Sequence, residues 1–229
     1  DNPEKELLFI GMGCQADGFR RFSELKGIRN RVYVVDIICH GSPSPKLWRE
    51  YATSIEKSGK ITYLTFKDKR NGWRMPTAFV RINEREKSIK NYVKVFYNQC
   101  ALRPSCYECP YATIERKTDM TIGDFWHIEE TIPEFFDPNG NSWFLIHTSR
   151  GEKLFEAIKE NIEYRLSNET QCWQANLEAP TNKSERREEF WKDYQQKGID
   201  FIMKKYGTVS FKTKVKNKLS VIWGGVRSK

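Results

Sequence analysis

Hydrophobic positions in this chain fall in short runs, and their period shifts between two and about three and a half. Leu7 to Ile10 is a brief apolar run that ends in GMGCQ. In QADGFRRFSELKG, Phe19, Phe22 and Leu25 recur at helical spacing, and Gly27 offers a stop. RVYVVDIIC follows, a β-branched run that reads as a buried strand. Strand, helix and strand at this length predict a right-handed βαβ unit. Cys14 and Cys39 then both lie just past the carboxyl ends of parallel strands, the edge where open α/β sheets receive ligands.

Further on, Ser44 is a good N-cap and Pro45 a good first helical residue, with Leu47, Trp48, Tyr51 and Ile55 on one face. ITYLTF, TAFVRI and NYVKVFY alternate as strands do, and KDKRNGWR supplies a turn. DMTIGDFW reads as a strand leaving into a loop, PEFFDPNGNS as a loop and WFLIHTS as a strand. A helix is expected over 151–166, with Leu154, Phe155, Ile158 and Ile162 on its apolar stripe. After about residue 176 the chain is charged and expected to be helical. The pattern predicts an α/β domain over 1–175, a βαβ-containing mixed sheet with flanking helices, and a mostly helical tail over 176–229 with a basic end. No internal repeat or low-complexity segment is visible.

The bulk numbers narrow this picture. The 229 residues, 38% hydrophobic and 14% aromatic, suffice for a packed core. No apolar run approaches the roughly 20 residues of a membrane span. DNPEKELLFIG is acidic before it is apolar, unlike a signal peptide. A start at Asp rather than Met suggests a fragment or a processed chain. Of the net charge of +9, eight positive charges fall after Asp200 with no acid among them, which leaves +1 for the rest. The basic balance therefore belongs to the tail and gives no support to nucleic-acid binding by the main body. Val215, Leu219, Ile222 and Trp223 share a possible helical face in that tail, which could touch an anionic membrane surface or a partner, against a default of a solvated terminus. Six cysteines are too few for a disulfide scaffold, and their company of Gly and Pro points to a metal or cluster site in a reducing cytoplasm.

The strongest chemical signal is C-Y-E-C-P, with Cys106 and Cys109 in C-x-x-C spacing and Pro110 matching the Cys-Pro of ferredoxin cluster motifs. Two such thiolates suit a zinc ion, an iron–sulfur cluster or a redox dithiol. Cys14 in GMGCQ and Cys39 in CHGSPSP favour the cluster, because glycines admit a bulky group close to the backbone. Cys100 and Cys172 fit the ordinary fate of a free cysteine, a small buried hydrophobe, with Cys100 a reserve ligand because it is near the pair.

Five ordered stretches, FIGMGCQADGF, VDIICHGSPSPKLW, TFKDKRNGW, NQCALRPSCYECPYA and DMTIGDFWHIEE, resemble the C-terminal region of the coenzyme F420 hydrogenase/dehydrogenase beta subunits, whose bacterial members often lie in polysaccharide gene clusters. The resemblance covers roughly residues 7 to 150. It implies a cytoplasmic flavoprotein oxidoreductase carrying FAD and one 4Fe–4S cluster, with Cys14, Cys39, Cys106 and Cys109 as cluster ligands. It also implies an upstream ferredoxin-like module as electron donor or acceptor, and a small-molecule substrate or a deazaflavin-type coenzyme. One departure stands out. The family has Gly-Thr-Pro-Cys-Gln where this chain has Gly11-Met12-Gly13-Cys14-Gln15, which is expected to make a more flexible loop and to remove a hydroxyl. Gly11, Gly13, Gln15 and Gly41 are the loop positions expected near the cofactors.

His40 adjoins Cys39 and is either a proton donor to flavin or substrate or a loop cap. Asp124, at a strand end, either holds a ribityl hydroxyl or caps a turn. The turn from Lys67 to Gly72 reads as a phosphate site or, more simply, a solvated hairpin, and His127 and His147 as structural. There is no G-x-G-x-x-G and no Walker motif. Two rivals remain: a zinc-stabilised interaction module, and an electron-transfer subunit without its own substrate site.

Overall fold

The computed structural model describes residues 4–74 and 76–208. In chain order the elements are β1 (Leu7–Met12), α1 (Gly13–Leu25), β2 (Val32–Ile37), α2 (Pro45–Glu56), β3 (Ile61–Asp68), β4 (Thr77–Ile82), β5 (Arg85–Ser88), α3 (Lys90–Tyr97), β6 (Met120–Asp124), α4 (Ile128–Thr131), β7 (Ser142–Ile146), α5 (Ser149–Ile158) and α6 (Arg187–Lys205). They divide into two compact units. The segments Asp1–Ser42, Gly72–Met75 and Pro104–Asn182 make one; Pro43–Asn71, Pro76–Arg103 and Lys183–Lys229 make the other, within the described residues. The basic face at Val215, Leu219, Ile222 and Trp223 lies outside the described residues.

In the first unit, four strands form a mixed sheet in the order β1-β2-β6-β7. β1, β2 and β6 run parallel, and β7 returns antiparallel beside β6. The expected strand–helix–strand unit is present, with α1 joining the parallel pair. β2 is buried almost throughout, which its run of β-branched residues requires. Gly27, at φ +65, ends α1 in the left-handed conformation that glycine adopts without strain, and its N–H bonds back to the Glu24 carbonyl.

The face of α1 that packs differs from the expected one. Ala16 joins Val32 and Val34 in the core with Phe19 against them, but Phe22 is half exposed and Leu25 almost fully exposed. The buried side of α1 is instead Gly13, Ala16, Asp17 and Ser23, small or ion-paired residues that admit close approach. The helix expected over 151–166 is also shorter. α5 ends at Ile158, a 3-10 turn covers Lys159–Asn161, and Ile162 is extended and exposed.

The second unit holds a three-stranded antiparallel sheet, β3-β4-β5. Its core joins Leu47, Tyr51 and Ile55 of α2 to Val80 and Ile82 of β4 and to Phe190 and Ile202 of α6. Pro45 is the first residue of α2, as expected, although the Ser44 side chain makes no capping bond. NYVKVFY, expected to be a strand, is the helix α3. Ile89 at its N-cap and Tyr92 and Val95 within it are buried at a spacing of three, so packing overrides the strand preference of valine and tyrosine. The segment expected to be helical from about residue 176 becomes helical only at Arg187, after a 3-10 turn at Ala175–Leu177 and an irregular stretch, and Gly198 (φ 73, ψ −175) kinks that helix. Among the described residues no helix is long and apolar enough to cross a membrane.

Candidate functional site

All four cysteines singled out by spacing belong to the first unit, on three separate segments. Cys14 is the second residue of α1, and Cys39 follows the end of β2 by two residues. Cys106 closes a 3-10 turn at Pro104–Cys106, and Cys109 follows in a tight turn where the Ala112 N–H bonds its carbonyl at 3.3 Å. The segments meet around Cys39. Burial pushes the Cys39 thiol up, a backbone bond from Gly41 pulls it down, and the charges of Cys106, Cys14 and Cys109 push it up again, so those three thiols lie within electrostatic reach of it. The Ser42 N–H donates to Cys106 Sγ at 3.4 Å. Two backbone N–H groups are thus directed at sulfur atoms. Among the described residues, no three His, Cys, Asp or Glu side chains converge as they do on a single metal ion.

Buried polar ties hold the C-x-x-C segment to the elements that carry the other two cysteines. The Tyr111 hydroxyl donates to Asp17 Oδ2 at 3.1 Å, and Asp17, on α1, is buried and also takes Arg20 and Arg21. Arg116 reaches Asp36 of β2 at 3.3 Å, with both side chains almost fully buried. Thr118 donates to the same Asp36 oxygen at 3.1 Å. The other oxygen, Asp36 Oδ1, is buried with no hydrogen-bond partner among the described residues. Spacing did not bring out Asp17, Tyr111, Asp36 or Arg116, since none belongs to a short motif.

The glycines beside Cys14 have specific neighbours. A Cβ at Gly13 would come within 2.9 Å of Tyr111 Cβ and 3.1 Å of Arg116 Nη1, so glycine lets the C-x-x-C segment close on α1. Gly13 is the first, buried residue of a helix, where a flexible loop was expected. A Cβ at Gly11 would meet the Phe9 ring at 2.9 Å. Gln15 turns back on its own helix, its Oε1 accepting from the Met12 N–H at 3.3 Å. Gly41 has φ +133, which suits glycine alone, and this conformation accompanies its bond to the Cys39 thiol.

His40 is half-buried, and burial pushes its imidazole below the ordinary value. The Thr181 hydroxyl donates to the His40 carbonyl at 2.5 Å and stands 3.5 Å from its Nδ1. Asp124 ends β6 with an exposed side chain, and its carbonyl accepts from Gln174 Nε2 at 2.5 Å. The segment from 172 to 181 therefore bonds to the backbone beyond β2 and at the end of β6, a role its polar sequence does not reveal. Cys100 is buried in the core of the second unit, where its thiol donates to the Asn98 carbonyl at 3.4 Å. Cys172 is buried in the first. In the turn after β3, Arg70 pairs with Asp68 and Glu86 and lies 4.5 Å over the Phe79 ring, which accords with a hairpin. His147 bonds Thr121 at 2.8 Å, and His127 is exposed.

Residues 4–171 match the family described as the C terminus of the coenzyme F420 hydrogenase/dehydrogenase beta subunit, and the chain belongs to that family. No curated protein matches the chain.

Proposed function

We propose that this chain, whose family gives it an oxidoreductase-type role in electron transfer, holds a 4Fe–4S cluster on Cys14, Cys39, Cys106 and Cys109. What supports this most is that all four cysteines belong to one unit, and that the Ser42 N–H, three residues past Cys39, donates to Cys106 Sγ at 3.4 Å and so ties the Cys39 loop to the C-x-x-C segment. The donor set is soft sulfur throughout, which suits an iron–sulfur cluster. Backbone N–H groups on sulfur, as at Cys106 and Cys39, stabilise thiolate charge and tune cluster potential. When bound, the cluster would supply single-electron transfer.

The protein's own part is positioning. Asp17 and Arg116 fix the C-x-x-C segment against α1 and β2, and Gly13 admits it. His40 stays in the proposal as proton donor, with Thr181 setting its backbone. FAD enters by family resemblance. Gly11, Gly13, Gln15, Gly41 and Asp124 are the positions to probe for it. A ferredoxin-like partner, a small-molecule substrate and a cytoplasmic setting complete the proposal.

The test is anaerobic purification followed by iron, sulfide and zinc analysis. About four iron and four sulfide per chain are expected. Cys39→Ser or Cys106→Ser should lose most of the iron, and Cys172→Ser should keep it. A colourless protein with one zinc would replace the cluster reading with the interaction-module rival.

A further inference from the structure

A cavity of about 680 Å³ opens in the first unit beside the C-x-x-C segment. That is the size of a small-molecule site. Thr113 and Ile114, four and five residues beyond Cys109, form one wall, and Glu169, Trp173, Leu177 and Glu178 form another. Among the described residues no Lys, Arg or His lines it. The segment that supplies the second wall also carries Gln174 and Thr181, which bond the Asp124 and His40 carbonyls.

Three features of the lining act together. Trp173 is 53% exposed, a large aromatic surface left open where burial would be expected. Its indole Nε1–H donates to Glu178 Oε2 at 3.3 Å. That bond fixes the ring and draws electron density into it, which makes its face more negative. Glu169 brings a second carboxylate to the same lining. An electron-rich indole face beside two carboxylates, with no cation among the described lining residues, attracts positive charge and repels phosphates and carboxylates. A metal ion would need convergent oxygen ligands, and the described residues offer no such group. Ile114 and Leu177 add apolar wall, which suits the carbon shell of an organic cation.

We propose that this cavity binds a small organic ammonium ion, its charged carbon shell over Trp173 and its charge balanced by Glu169 and Glu178. The site does not rest on the cluster assignment, and its test reads neither iron nor turnover.

The full chain labelled with 5-fluorotryptophan gives one fluorine resonance for each of its seven tryptophans, and Trp173→Phe assigns that of Trp173. Tetramethylammonium chloride is titrated against sodium chloride at matched ionic strength. The Trp173 resonance should move saturably, with a Kd of roughly 1–100 mM, since a lone quaternary ammonium makes few contacts. Glu169→Gln and Glu178→Gln should each weaken binding by roughly 3- to 10-fold. Glu169 is exposed, so its replacement leaves the fold intact and keeps the test decisive if Glu178→Gln is unstable. A Trp173 resonance that responds equally to sodium chloride overturns the proposal. So does one that responds at least as strongly to glucose or to inorganic phosphate.

Discussion

A hydrogen atom in place of a methyl group at position 13 decides how closely the C-x-x-C segment approaches α1. A Cβ there would stand 2.9 Å from Tyr111 Cβ, closer than real side chains pack, and neither the helix nor the Tyr111 backbone has a flexible end to yield. Gly13→Ala should therefore cost about 1–3 kcal/mol of stability and push the cysteine segments apart. Gly18 is the control. It lies on the exposed side of the same helix, with nothing within 4 Å of an added Cβ. Gly18→Ala should stabilise by about 0.5–1 kcal/mol, because alanine loses less backbone entropy in a helix. Thermal melts of both variants, with iron content of the reconstituted proteins, check the pair; equal effects would mean that the contact with Tyr111 does not matter. At this scale the cysteines proposed as ligands stand out in the sequence through their spacing and neighbouring glycines, because a ligand set of this kind would leave a local mark. Asp17 and Arg116 do not, because their partners, Tyr111 and Asp36, lie far away along the chain and a charged residue in sequence looks solvated.

Between elements, a single carboxylate joins α1 to the C-x-x-C segment. Burial pushes Asp17 up, but hydrogen bonding and charge from Arg20, the Tyr111 hydroxyl and the charge of Arg21 outweigh it and hold the carboxyl below its usual value. A depressed folded value means that the unfolded chain takes up this proton first as pH falls. The stability Asp17 contributes is thus fully present above the ordinary carboxylate value and is lost from about pH 4 downward. Asp17→Asn should cost roughly 1.5–3 kcal/mol near neutrality, the range for hydrogen bonds to a charged group. It should also flatten the acid limb of a stability–pH curve measured by urea unfolding, and an unchanged acid limb would assign that limb to other carboxylates. Which elements the sequence foretold follows the same logic of local against distant. α2 was legible because Pro45 and a face of Leu47, Tyr51 and Ile55 agree with one another. α3 was not, because valine, tyrosine and phenylalanine favour strands and only packing against the α6 side of the core selects the helix. The sequence makes α5 too long because its apolar stripe continues to Ile162, past the point where the backbone leaves the helix at Ile158.

At the scale of the whole molecule the charge is unevenly shared, and the fold shows where the chain can be cut to test what that does. Tyr206 is not a spare residue at the end of a helix. It is buried against Phe190, its hydroxyl donates to Asp193 at 2.9 Å, and its carbonyl accepts from Asn98 at 2.6 Å. Asp193 also takes Lys197 and Lys205, and these partners hold its carboxyl far below the usual range. A cut before Tyr206 would remove a core side chain and should unfold the second unit. A cut after Thr208 removes none of these groups. It does remove Lys212, Lys214, Lys216, Lys218, Arg227 and Lys229 and no acid, which takes the net charge from +9 to +3. The shortened chain should keep its melting temperature and its iron content. It should elute from a cation exchanger at clearly lower salt and lose most of its binding to vesicles rich in anionic lipid, since each basic residue near such a surface contributes about 1 kcal/mol. Retention of vesicle binding by the chain that ends at Thr208 would assign that binding to the folded units and leave the basic segment to its default as a solvated terminus.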